Sequence, residues 1–120
     1  MRSEMLVSIL SELNGASADI EATGVVSTDG LMIAAVLPAT LDEDRVGAMS
    51  AAMLSLGDRT AQELARGELE QVLIKGKAGY VLMTYAGKEA VLTVLAKPNA
   101  KLGLIFLDVK RAASNIAQLL

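Results

Sequence analysis

The spacing of apolar residues alternates along this chain between helical and extended periods. Met5, Leu6, Ile9, Leu10 and Leu13 recur at steps of three and four, which predicts a short amphipathic helix stopped by Asn14-Gly15. Two dense apolar runs follow, Ile20 to Ser27 and Leu31 to Leu37, on either side of Asp29-Gly30. Asp-Gly between apolar runs signals a hairpin, because both central residues of the favoured two-residue turn need positive φ. Pro38 removes a ladder donor and ends the second strand.

Thr40-Leu41-Asp42-Glu43 then reads as a capping box, with Thr40 as N-cap and Glu43 reaching back to it, and opens a helix expected from Leu41 to about Arg66. That helix has two apolar faces. Val46, Met49, Met53 and Leu56 form a stripe suited to a sheet, and Gly47, Ala51, Leu54, Ala61 and Ala65 form a second row of mostly small residues suited to close contact with another helix. Three extended segments come next, "ELEQVLIK" (68–75), "GYVLMTYA" (79–86) and "EAVLTVLA" (89–96), joined by "GKA" and "GK". Connections so short force antiparallel neighbours. A closing helix from about Leu104 to Leu119 places Ile105, Val109, Ala112, Ala113, Ile116 and Leu119 on one face.

The order helix, two strands, helix, three strands, helix predicts an α+β fold, a five-stranded antiparallel sheet sandwiched by helices, as one domain over residues 1–120. In the segment 68–75 both sides are partly apolar, Leu69 and Leu73 on one and Val72 and Ile74 on the other. Such a strand at a sheet edge invites addition, and pairing with its twin in a second copy removes the hazard. A hydrophobic fraction of 52% in a 120-residue chain points the same way, since a small monomer has a large surface to cover with polar residues.

Charge and chemistry narrow the function classes. The net charge is −3, with nine acids and three bases in residues 1–60 and five acids and eight bases in residues 61–120. That balance argues against a nucleic-acid partner, although it suits complementary docking. Cysteine and histidine are absent, which removes thiolate and imidazole chemistry, disulfides and zinc sites of the usual ligands; no cofactor or metal is expected. The longest uncharged runs, Gly30 to Leu41 and Val46 to Gly57, are 12 residues each, where a membrane span needs about 20. Arg2, Glu4 and Glu12 fall where a signal peptide would be apolar, so a cytoplasmic protein is expected. "IKGKAGY" (74–80) lacks phosphate-loop spacing and precedes a strand, so it reads as a hairpin turn. Asp42, Glu43 and Asp44 suit the positive end of a helix dipole without any cation.

The stretches "GVVSTDGLMIAA" (24–35) and "AVLTVLAKPNAKLGLIFLDVKRAASNIAQLL" (90–120), together with the order of elements, resemble the Roadblock family, which includes dynein light chains, Ragulator subunits and bacterial MglB-like regulators of Ras-like GTPases. The resemblance implies a Roadblock/profilin-like fold without catalytic residues. It also implies a dimer in which the third strands pair into one sheet and the long helices lie side by side. Gly47, Ala51, Leu54, Ala61, Ala65, Leu69, Gln71, Val72 and Leu73 are the expected dimer interface. It further implies a small Ras-like GTPase as partner, for which Arg45, Ser55, Arg59, Gln62, Glu63 and Arg66 on the long helix are the expected docking face. The same residues also suit a plain solvated helix face. A different class of function is a dimeric ligand-sensing or assembly module, with Met32, Met49, Met53 and Met83 adapting around a small apolar guest between sheet and helix.

Overall fold

The computed structural model describes residues 2–120 and has the expected element order: α1 (Arg2–Ala16), β1 (Ile20–Ser27), β2 (Met32–Val36), α2 (Glu43–Glu63), β3 (Gln71–Gly76), β4 (Gly79–Tyr85), β5 (Ala90–Ala96) and α3 (Leu102–Leu119). The five strands make one antiparallel sheet in the order β2-β1-β5-β4-β3, so β5 joins the hairpin to the three-strand meander, and β2 and β3 are its edges.

Helices α1 and α3 pack together on one face and α2 crosses the other. Because successive strand residues point to opposite faces, each strand feeds both layers. Val25, Leu92 and Val94 join Leu6, Leu10 and Leu13 of α1 and Ile105, Val109 and Ile116 of α3 in the larger core. Their strand neighbours Val26 and Val91, with Met83, meet Leu54 of α2 in the smaller one. Burial on both faces is why these strands read as nearly unbroken apolar runs. Two buried hydroxyls pin helices to sheet: Thr93 Oγ1 donates to Ser50 Oγ of α2 at 2.8 Å, and Thr23 Oγ1 to Asn14 Oδ1 of α1 at 2.7 Å.

Several local expectations are corrected. Helix α1 passes through Asn14-Gly15 to Ala16, its last turn held by that bond from Thr23. The β1–β2 turn is a three-residue loop in which Gly30 N–H donates to Ser27 O at 2.9 Å and Ser27 N–H to Leu31 O at 2.8 Å. Gly30 has positive φ (93°) and Asp29 does not, so Asp-Gly acts here as a turn followed by a left-handed glycine. The N-cap of α2 is Asp42, whose Oδ1 accepts from Asp44 N–H at 3.0 Å; Thr40 instead lies in a turn closed by Leu41 N–H to Pro38 O. Strand β3 begins at Gln71, so Leu69 is free to fold against the α2 layer beside Val72, away from the side that Leu73 takes.

Candidate interaction surface

The expected faces of α2 hold only in part: Val46 and Met53 are half-buried on the sheet side as expected, but the other two members of their stripe are not, and the row of small residues supplies the buried centre. Gly47, Ser50 and Leu54 are the buried residues of this helix, and Met49 and Leu56 stand 59% and 58% exposed. The cause is steric. A Cβ at position 47 would sit 2.6 Å from the Gly30 carbonyl oxygen, so α2 can cross the hairpin turn only with its glycine facing inward. Gly57 makes a second close approach, to Val72 and Leu69. At 3.6 residues per turn, that choice rotates Met49, Ala52 and Leu56 to the outside.

The outer face of α2 is therefore an apolar strip, Met49, Ala52 and Leu56, with Arg45 near one end and Arg59 near the other. Arg59 Nε meets Glu63 Oε1 at 3.3 Å, an exposed i,i+4 pair whose worth is a few tenths of a kcal/mol at about 0.3–0.5. Gln62 Nε2 donates to Asp58 Oδ2 at 3.4 Å, and Arg66 Nε to the Leu64 carbonyl at 3.1 Å. Ser55 is exposed and borders a shallow depression with Asp58, Tyr85 and Thr28. There, partial burial and then the Asp58 carboxylate raise the Tyr85 phenol above its usual pKa of 10.0. Of the six expected docking residues, Arg45, Ser55, Arg59, Gln62 and Glu63 share one side of α2, and Arg66 lies beyond its end.

Of the expected dimer residues, Gly47 and Leu54 are buried against the chain's own hairpin and sheet and offer no surface to a second chain. Ala51 and Ala61 are half-buried at the flank, and Ala65, Gln71 and Leu73 are exposed, with Leu69 and Val72 partly covered. Ala51 borders the depression with Ser55 and Tyr85; on the other flank of α2 runs an apolar groove of about 220 Å³ between α2 and the β3–β4–β5 end of the sheet, lined by Val46, Met49, Met53, Ile74, Val81, Met83 and Leu95 with Arg45 at its rim. Met32 is elsewhere, against Gly24. Hydrophobic spacing places Met49 and Leu56 inward and so misses them as surface residues. The signal available was the pair Gly30 and Gly47, both needed where two backbones meet.

The segment "IKGKAGY" is the β3–β4 hairpin, with Gly76 opposite Gly79 and Lys75 Nζ 5.9 Å from the centre of the Tyr80 ring. Among the described residues no group of three or more His, Cys, Asp or Glu is placed to hold a metal ion, and no helix is long and apolar enough to cross a membrane.

A five-stranded antiparallel sheet with two helices behind and one long helix in front is the Roadblock architecture, and the Roadblock/LC7 domain model matches residues 6–96. The chain belongs to that family. It is 44% identical over 112 residues, covering 93% of this chain and 96% of its relative, to an uncharacterized protein of Methanocaldococcus jannaschii. Among solved structures, MglB of Myxococcus xanthus superposes with a TM-score of 0.88 at 18% identity, covering 97% of this chain and 87% of MglB. A Roadblock/LC7 domain from Streptomyces avermitilis superposes with a TM-score of 0.72 at 27% identity, covering 92% and 96% of the two chains.

Proposed function

We propose that this Roadblock/LC7 protein is a non-catalytic, homodimeric, cytoplasmic regulator or scaffold for a small Ras-like GTPase. The observation that carries the reading is the outer face of α2. Its arginines and its Met49–Leu56 strip serve no packing purpose in the chain itself, in a fold shared with MglB. Arg45, Ser55, Arg59, Gln62, Glu63 and Arg66 are the proposed docking residues. The second copy joins along β3 and the flank of α2, through Ala51, Ala61, Ala65, Leu69, Gln71, Val72 and Leu73, with Ile74 and the neighbouring groove added to that set. Regulation then consists of binding one nucleotide state of the GTPase better than the other, because a partner shifts an equilibrium only by its differential affinity.

The test is binding of purified Ras-like GTPases from the source organism, loaded with GDP or with a non-hydrolysable GTP analogue, to the immobilised protein. A preference for one state of about fivefold or more is expected, within the usual range of coupling between sites. Arg59→Glu is expected to weaken the preferred complex about tenfold. Equal binding in both states removes the switch role, and equal binding by Arg59→Glu removes this face of α2 from it.

The groove supports a second reading. Met49, Met53 and Met83 line a space larger than the roughly 150 Å³ apolar cavity that suffices for benzene. The only hydroxyls in its lining, Ser50 and Thr93, satisfy each other, so a guest there would be apolar. Native mass spectrometry retaining such a guest would favour the sensing role.

A further inference from the structure

The last helix presents a face that neither the core nor the α2 surface explains. Ile105, Val109, Ala112, Ala113 and Ile116 of α3 are buried, yet Leu104 and Leu107, one turn apart on the opposite side, are each 62% exposed. Cations surround them: Lys97 and Lys101 in the loop before the helix, and Lys110 and Arg111 on the next turn. Residues 97–120 hold these four bases and the single acid Asp108, in a chain whose net charge is −3. None of the four cations makes an ion pair or a side-chain hydrogen bond among the described residues. Carboxylates are present too: Asp108 and Asp19 border the depression that holds Lys101, Leu104, Leu107 and Arg111, and Glu12 with Asp108 and Arg111 lines the crease between α1 and α3, so bases outnumber acids around the leucines without excluding them. Asp19 is engaged by the backbone N–H of Lys101 at 3.2 Å.

We propose that this end of α3 docks on an anionic lipid bilayer. Two protruding leucines ringed by long, unpaired basic side chains match the boundary between acyl chains and phosphate headgroups, where Lys and Arg bury their stems and keep their charges among the phosphates. The rest of α3 is locked into the core, so only its first two turns enter the interface. Two leucines alone give weak, reversible binding, and acidic headgroups must supply the remainder. The layering adds a spatial consequence: α3 and α2 cover opposite faces of the sheet, so a bound membrane leaves the arginine-flanked strip of α2 free. The proposal rests on the placement of α3 and requires neither the dimer nor the GTPase.

The experiment is flotation of the full chain with vesicles of phosphatidylcholine, with and without phosphatidylglycerol. Binding is expected to the anionic vesicles and not to the neutral ones, and to vanish near 1 M salt, where the Debye length falls to about 3 Å. Each basic residue near such a surface is worth roughly fivefold in partitioning, so Lys97→Glu with Lys101→Glu is expected to lower it by roughly 25-fold or more. Leu104→Ser with Leu107→Ser is expected to lower it about tenfold or more. Those side chains are exposed, and an unchanged thermal melt checks that the variants fold. Absence of wild-type binding at low salt overturns the proposal, as does undiminished binding by either double variant. If vesicles are ignored and the apparent mass of the wild type falls in the leucine variant, the occupant of this face is a second copy and the lipid assignment fails.

Discussion

Ala65 is the one described non-glycine residue with positive φ, at 57°. It sits just past the C-cap of α2, where Arg66 N–H donates to Ala61 O at 2.7 Å and Ala65 N–H to Gln62 O at 3.1 Å. This pair of bonds is the Schellman arrangement, whose left-handed position is usually glycine. An L-residue there costs roughly 1–2 kcal/mol in steric strain, whereas glycine gives back part of that gain through a freer unfolded chain. Ala65→Gly is therefore expected to stabilise the protein by about 0.5–1 kcal/mol, visible as a higher urea midpoint at unchanged slope. A lower midpoint would mean that the Ala65 methyl group makes a contact worth more than the strain. The residue is exposed in this chain. The same residue belongs to the proposed dimer flank, so the measurement is best made at several protein concentrations.

At the scale of elements, the glycines of the helices divide by what they touch. Propensity alone ranks any helical Gly→Ala change as favourable by about 1 kcal/mol. At Gly15 a Cβ meets nothing within 4 Å, so Gly15→Ala is expected to stabilise. At Gly47 it meets the Gly30 carbonyl oxygen, a backbone atom that cannot swing aside, and overpacking of that kind typically costs about 1–3 kcal/mol. Gly47→Ala is expected to lower the thermal midpoint despite its better propensity, and stabilisation would mean that α2 lifts off the hairpin freely. This contact also explains what the sequence could and could not tell. Element type and order follow from period for the helices, as over 105–116, and for the strands from short apolar runs rich in β-branched residues between turn signals, as over 90–96, and the structure agrees in both. Which side of α2 meets the sheet depends on one carbonyl oxygen from a turn some 17 positions away in sequence, and average hydrophobicity carries no record of that. Hence hydrophobic spacing points Met49 and Leu56 inward, whereas both lie outward. Choice of cap is equally local: Thr40 and Asp42 both fit the N-cap preference, and the turn closed onto Pro38 decides for Asp42.

For the molecule as a whole, the two sheet edges differ in what lies beside them. Both edges carry exposed apolar residues, Leu31 and Ile33 at β2 (70% and 39%) and Leu73 and Ile74 at β3 (40% and 38%), but β2 packs against α1 and α2, whereas of the helices α2 alone makes substantial contact with β3. On the Ile74 side the apolar groove continues the same uncovered surface, so an added strand and an added helix would be accommodated together. Leaving such an edge open in water invites indiscriminate strand addition, and burying it against an identical edge removes the unpaired backbone groups as well as the apolar area. Light scattering at micromolar concentration is accordingly expected to give about twice the chain mass of 12.5 kDa. Ile74→Asp places a carboxylate in the middle of that contact, and its position on an edge strand lets the monomer keep its own core, so the variant is expected to be folded at half the wild-type mass. The Leu104→Ser, Leu107→Ser variant lies on the opposite layer and is expected to keep the wild-type mass. A wild type that scatters as a monomer, or an Ile74→Asp variant that stays paired, would place the contact elsewhere. The arginine-flanked face of α2 would then have to be judged as the surface of a single chain.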